Sequence, residues 1–162
     1  MKTLLATLLI AGMALTSASA QTPSASPTSP LLGSWALDVE GSEIPAAARP
    51  KGVTITYSDA GEGKWRSNVD IVGGDGRKIS AAGTYPLNGT AAPSQGYANV
   101  DTVAASVPAP SVMVMAFYKE GMPRNTRTYT VAADGKTMTE TIVWLNLNGK
   151  PEITTNRFKR VK

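Results

Sequence analysis

Four side chains in the C-terminal third have the types and spacing for binding chemistry: Arg127, Tyr129, Glu140 and Arg157. An arginine fork takes a carboxylate through two parallel hydrogen bonds. A phenol beside it adds a further donor. Two guanidinium groups around one carboxylate would leave a positive charge to spare. That is the chemistry of an anion-capturing end of a pocket. The same four residues are also readable as a solvated cross-strand ladder of ion pairs, worth at most about 1 kcal/mol per pair.

What must position them is a set of hairpins. Four Asx-Gly dipeptides, Asp75-Gly76, Asn88-Gly89, Asp134-Gly135 and Asn148-Gly149, each lie beside a run rich in β-branched or aromatic residues. Such dipeptides favour tight hairpin turns. A two-residue turn at Asp134-Gly135 sets Val131 against Met138, Tyr129 against Glu140, Arg127 against Ile142 and Asn125 against Trp144. A second at Asn148-Gly149 sets Trp144 against Ile153, Ile142 against Thr155 and Glu140 against Arg157. Side chains alternate faces along a strand. One face then carries Arg127, Tyr129, Val131, Glu140, Ile142, Trp144 and Arg157, and is expected to point inward. The other carries Thr126, Thr128, Thr130, Thr137, Thr139 and Thr141, which suits solvent.

Much chemistry is excluded. The chain has no histidine and no cysteine. That removes the usual general base, the thiol nucleophiles and the commonest zinc ligands. No nucleophile-elbow, phosphate-loop or dinucleotide motif occurs. Asp75, Asp101 and Asp134 read as turn or strand-edge residues, without a calcium-loop pattern around them. An enzyme would have to work with Glu140, Tyr129 and Arg127 alone. The expectation is a protein without catalytic residues, cofactor or metal. The formal net charge is +4, one unit of it from Lys2. That excess draws anionic partners only weakly, and the basic tail Lys159, Arg160, Lys162 lacks the interleaved aromatics of a nucleic-acid surface.

Residues 1–20 read as an export leader: a basic start at Lys2, an apolar run and an Ala18-Ser19-Ala20 cleavage site. The apolar run is too short to span a bilayer. The expectation is a periplasmic or secreted protein beginning at Gln21, with no membrane span. Residues 21–31, rich in Ser, Thr and Pro, read as a disordered linker. Residues 32–162 are long enough for one domain with a core.

Within it, about nine short strands recur at a spacing of about ten residues: 32–38, 53–57, 64–72, 77–85, 101–107, 111–119, 124–132, 137–146 and 152–161. Residues 39–50 have room for one helical turn, and 87–100 read as a long loop. A meander without long crossovers favours an all-β, antiparallel, up-and-down barrel. Strand 111–119 is apolar on both faces. If one faces the core, Met113, Met115 and Phe117 form an exposed stripe for a protein partner; otherwise the long loop covers it.

Gly33-Ser34-Trp35 on the first strand resembles the G-x-W signature of lipocalin-type barrels. The resemblance implies that Gly33 allows a close backbone approach and that Trp35 plugs one end. It also implies that a basic residue of the last strand, Arg157 or Arg160, lies across the indole. Tyr85-Pro86, Asp101-Thr102-Val103 and Ala133-Asp134-Gly135-Lys136 complete an ordered set. With it, residues 32–161 resemble small secreted bacterial lipocalin-like proteins of unknown activity. Arg127-Thr128-Tyr129 is similar to the Arg-x-Tyr carboxylate clamp of fatty-acid-binding barrels. The functional expectation is an exported protein binding a small apolar or amphipathic ligand with an anionic head group, held by Arg127, Tyr129, Glu140, Arg157, Ile142 and Trp144. The alternative is a cell-envelope interaction module using the Met/Phe stripe.

Overall fold

Ten antiparallel strands follow one another around a closed barrel in a computed structural model that describes residues 29–42 and 44–161. They are β1 (Gly33–Leu37), β2 (Gly52–Gly61), β3 (Lys64–Val72), β4 (Lys78–Pro86), β5 (Asn88–Gln95), β6 (Thr102–Ala109), β7 (Val112–Lys119), β8 (Met122–Val131), β9 (Thr137–Leu145) and β10 (Pro151–Arg160). Each pairs with its neighbour in sequence, and β1 pairs with β10 to close the ring. The all-β meander expected from the turn pattern is the fold. It has one strand more than the sequence suggests, because residues 88–95 of the expected loop are β5. The leader expected at 1–20 and the linker stretch 21–28 lie outside the described residues.

The turns differ from the expectation in an instructive way. A type I′ hairpin needs positive φ at both central residues. That occurs at Glu62-Gly63 (53° and 69°) and Glu120-Gly121 (53° and 75°), and among the described residues no other non-glycine residue has positive φ. At Asp134-Gly135 and Asn148-Gly149 only the glycine is left-handed. The first loop runs over 133–136, closed by Ala132 N donating to Thr137 O at 2.9 Å. The second runs over 147–149, closed by Asn146 N donating to Lys150 O at 2.9 Å. An even loop preserves the register of a two-residue turn; an odd loop shifts it by one. So Tyr129 does oppose Glu140, but Glu140 opposes Asn156, not Arg157. A one-residue shift turns every side chain of a strand to the other face. Arg157 and Ile153 are therefore outside, and Asn156 and Phe158 inside.

One core runs through the barrel, from a plug at one end to the walls of a cavity that share Leu37, Ile55 and Phe158 with it. Trp35, fully buried, sits at the plug with Leu31, Val107, Met113, Val131 and Met138. Met113, Met115 and Phe117 point into the barrel, at 1%, 3% and 5% exposure. The expected exposed stripe is core, so Met113, Met115 and Phe117 offer no surface to a protein partner. The threonine face lies outside: Thr128 pairs with Thr141 and Thr130 with Thr139. Residues 29–31, expected as linker, are docked. Leu31 is buried, and Ser29 Oγ donates to Pro110 O at 2.8 Å.

One seam is thin. β4 and β5 share only the pairs Ala82–Gln95 and Gly83–Ser94. Tyr85 bridges them: its ring lies where a Cβ on Gly83 would be, and its hydroxyl meets Ser94 Oγ at 2.9 Å. The opposite, open end is crossed by the connection from β1 to β2, which carries a short 3-10 turn at Ala46–Ala48. Arg49 pins it by donating to Ile44 O (3.1 and 3.2 Å) and Ser42 O (3.3 Å).

Candidate functional site

Beneath that connection lies a cavity of about 130 Å³. Its walls are mostly aliphatic and aromatic: Leu37, Val53, Ile55, Val69, Ile71, Ile142 and Phe158, with Ile44 and Pro50 from the connection above. Arg127, Glu140, Asn156 and Tyr97 supply the polar wall. A second, smaller void of about 10 Å³ lies deeper, among Tyr57, Ser67, Tyr85, Ser94, Tyr97 and Tyr129. It has room for about one water.

Glu140 is the hub. It is 2% exposed and faces Tyr129 on β8 and Asn156 on β10 across the sheet. The Tyr129 hydroxyl donates to Oε1 at 2.8 Å, and Arg127 Nη1 donates to the same oxygen at 3.1 Å. Asn156 Nδ2 donates to Oε2 at 2.8 Å. A carboxylate taken out of water needs such partners on both oxygens. The Arg127 side chain keeps 26% of its surface open. Its guanidinium lies over the Phe117 ring, 4.8 Å from the centroid, and Nε donates to Asn125 Oδ1 at 3.1 Å. Among the described residues, nothing accepts from Nη2. The Asn156 amide orientation is fixed, because a carboxylate only accepts. Its Oδ1 is then buried without a partner.

The electrostatics favour a neutral phenol cluster around one ion pair. Burial, then the nearby Glu140 carboxylate, pushes the Tyr129 hydroxyl well above its ordinary value. Burial does the same to Tyr57, whose ring meets that of Tyr129 edge-on at 5.8 Å. Tyr97 is pushed up to about 12, mainly by burial. For Arg127, burial pulls down, but Tyr129, Glu140 and Tyr97 outweigh it and hold the guanidinium above its ordinary value.

Of the residues expected to hold a ligand, Arg127, Tyr129 and Glu140 are together, and Ile142 lines the cavity. Trp144 is on the same face but half-exposed nearer the rim, opposite Asn125 and Glu152, and does not line the cavity. Arg157 is outside. It lines a surface depression with Asp38 and Lys159, which form an ion pair at 3.1 Å. The expected surplus of positive charge at the cavity is therefore absent among the described residues: one cation, Arg127, faces one anion, Glu140. The sequence reading missed Asn156, which follows from the odd loop, and Tyr97, the only aromatic residue in 87–100.

The plug at the other end is as the G-x-W resemblance implies, with Arg160 as the last-strand partner. Its guanidinium lies 4.1 Å from the Trp35 ring centroid. It donates to Gly135 O at 2.7 Å, to Leu32 O at 2.8 Å and to Pro30 O. Trp35 Nε1 donates to Leu31 O at 2.9 Å. Gly33 has φ 115°, and a Cβ there would meet Arg160 Nη1 at 2.7 Å.

Comparison by sequence returns no matching family model and no matching curated protein. Comparison by structure does better. The crystal structure of wild-type fluorescent protein UnaG aligns with a TM-score of 0.54 at 12% identity, over 80% of this chain and 96% of that one. A UnaG mutant gives 0.54 at 13% identity, over 82% and 97%. Rv2717c from M. tuberculosis gives 0.52 at 14% identity, over 83% and 94%. The fold is the closed antiparallel barrel that this chain shares with these structures. Among the described residues no helix is long and apolar enough to cross a membrane.

Proposed function

We propose that this barrel is an exported binding protein for a small, largely apolar molecule whose polar end meets Arg127. The observation that carries the reading is the cavity under the β1–β2 connection, apolar on most sides with the Arg127–Glu140 pair in its wall. Apolar pockets with a few convergent polar groups are the usual form of small-molecule sites. Binding is favoured over catalysis because Glu140, the one candidate acid or base, is held by three donors. An anionic head group, expected with Arg157 inside, would meet Arg127 as the one cation among the described residues that line the cavity. Export rests on the leader-like residues 1–20, and kinship with small secreted lipocalin-like proteins rests on the ordered motifs.

The test is calorimetric titration with hexanol, a neutral probe that suits the cavity, on the protein recovered from the exported fraction. Binding is expected, and Ile142→Trp, which fills the cavity, should weaken it by about tenfold or more while the fold persists. No binding, or equal binding by the filled variant, overturns the site. The mass of the recovered chain should begin at Gln21; an intact leader overturns export.

A further inference from the structure

Arg127, Tyr129 and Asn156 together make a receptor for a carboxylate. Two donors converge on one oxygen, at 3.1 and 2.8 Å, and a third takes the other at 2.8 Å. The receptor lies in the cavity wall, and it is already filled by the chain's own Glu140. We infer that Glu140 acts as a resident carboxylate that turns the pocket away from acids, so that its ligand is an uncharged apolar molecule with a neutral oxygen, such as that of a hydroxyl or an amide, to accept from Arg127. The inference rests on the binding function proposed above and names the ligand class for the same site.

Two independent observations lead there. The first is charge. Arg127 and Glu140 cancel, so the wall offers an incoming carboxylate no net attraction, while the apolar lining still strips its water. A second carboxylate beside Glu140 meets like-charge repulsion, which commonly moves such groups by a pKa unit or more. The second is an open donor. Arg127 lines the cavity, its side chain keeps 26% of its surface open, and nothing among the described residues accepts from its Nη2. A hydroxyl or amide oxygen can accept there without bringing a second charge beside Glu140.

The same wall explains why Glu140 is a specificity residue and not merely a structural one. Replacing it with glutamine keeps the volume and an oxygen for Arg127 and Tyr129. The new amide N–H can donate to Asn156 Oδ1 once that side chain turns over. The charge alone is removed, and Arg127 is left as a free cation.

The experiment compares hexanol, hexanamide and hexanoate on the wild-type protein and on Glu140→Gln. The wild type should bind hexanol or hexanamide about tenfold or more tightly than hexanoate, the scale of one unit of like-charge repulsion. In Glu140→Gln the ratio should move toward hexanoate by about tenfold or more. Glu140→Ala should show a saturable rise in melting temperature with acetate, which fills the emptied receptor. If Glu140→Ala does not fold, the other two comparisons decide. If hexanol and hexanamide bind but hexanoate binds as tightly, the resident-carboxylate role is wrong and the binding site stands. An unchanged ratio in Glu140→Gln has the same meaning. If none of the three probes binds the wild type, the site itself is wrong.

Discussion

The barrel holds two inward arginines, one at each end, and each lies over an aromatic ring. Arg160 stacks on Trp35 at 4.1 Å and Arg127 on Phe117 at 4.8 Å. Their hydrogen bonds differ. Arg160 donates only to backbone carbonyls, those of Gly135, Leu32 and Pro30. It ties three separate pieces of chain together over a fully buried ring. Arg127 donates only to side chains, Asn125 and Glu140, and keeps a nitrogen open beside a cavity. Backbone partners cannot move without the fold, whereas side-chain partners can exchange for a ligand. The closed end thus serves stability, and the open end serves the proposed recognition, with the same residue type at both.

Measurements can break this contrast. Trp35→Ala should have the largest effect, a loss of about 3–5 kcal/mol as for other buried aromatic deletions, seen in urea denaturation. An unchanged midpoint would show that the plug carries no stability. Arg160→Gln should lose about 2–3 kcal/mol, because charge-assisted bonds to the three carbonyls go, and should leave hexanol affinity unaltered. A loss of binding with intact stability would reverse the roles of the two ends.

Alkaline pH should act through the buried phenols. The fold holds Tyr57, Tyr85, Tyr97 and Tyr129 as neutral phenols, with raised values. A folded value above the unfolded one means that the folded chain keeps its proton longer. Stability is then full below about pH 10, the ordinary phenol value, and declines as pH rises from there through about 12 for Tyr97. Tyr129→Phe should flatten that decline in a series of melting curves; an identical slope would assign the loss elsewhere. Smallest of all, Arg157→Gln should change stability by no more than about 0.5 kcal/mol, as exposed substitutions do, and should leave hexanol affinity alone. A loss of binding would return Arg157 to the interior and undo the register.

That register marks how far the sequence was legible. The Asp134-Gly135 loop is even, so Arg127, Tyr129 and Glu140 could be placed together from the turn alone. The Asn148-Gly149 loop is odd, and nothing in the dipeptide separates a two-residue turn from a three-residue turn with a left-handed glycine. The strand after it was therefore read inside out, with Arg157 standing where Asn156 is. The tight turns with two positive φ values fell at Glu-Gly pairs, where local preference gives little warning. β5 escaped because Gly, Ala and Pro dominate its sequence, and its strand state comes from neighbours across the sheet. The Trp35 plug was legible through the resemblance of Gly33-Ser34-Trp35 to the G-x-W signature.

The thin seam between β4 and β5 is one place where the ring can part. A closed ring offers no frayed edge, so opening has to begin by parting two strands along their length. Two residue pairs and one Tyr85–Ser94 bond are less to part than the nine pairs joining β9 to β10. Amide protons near Gly83 and Ser94 would then trade with heavy water through small, frequent openings, while those of β9 and β10 wait for the whole chain to unfold.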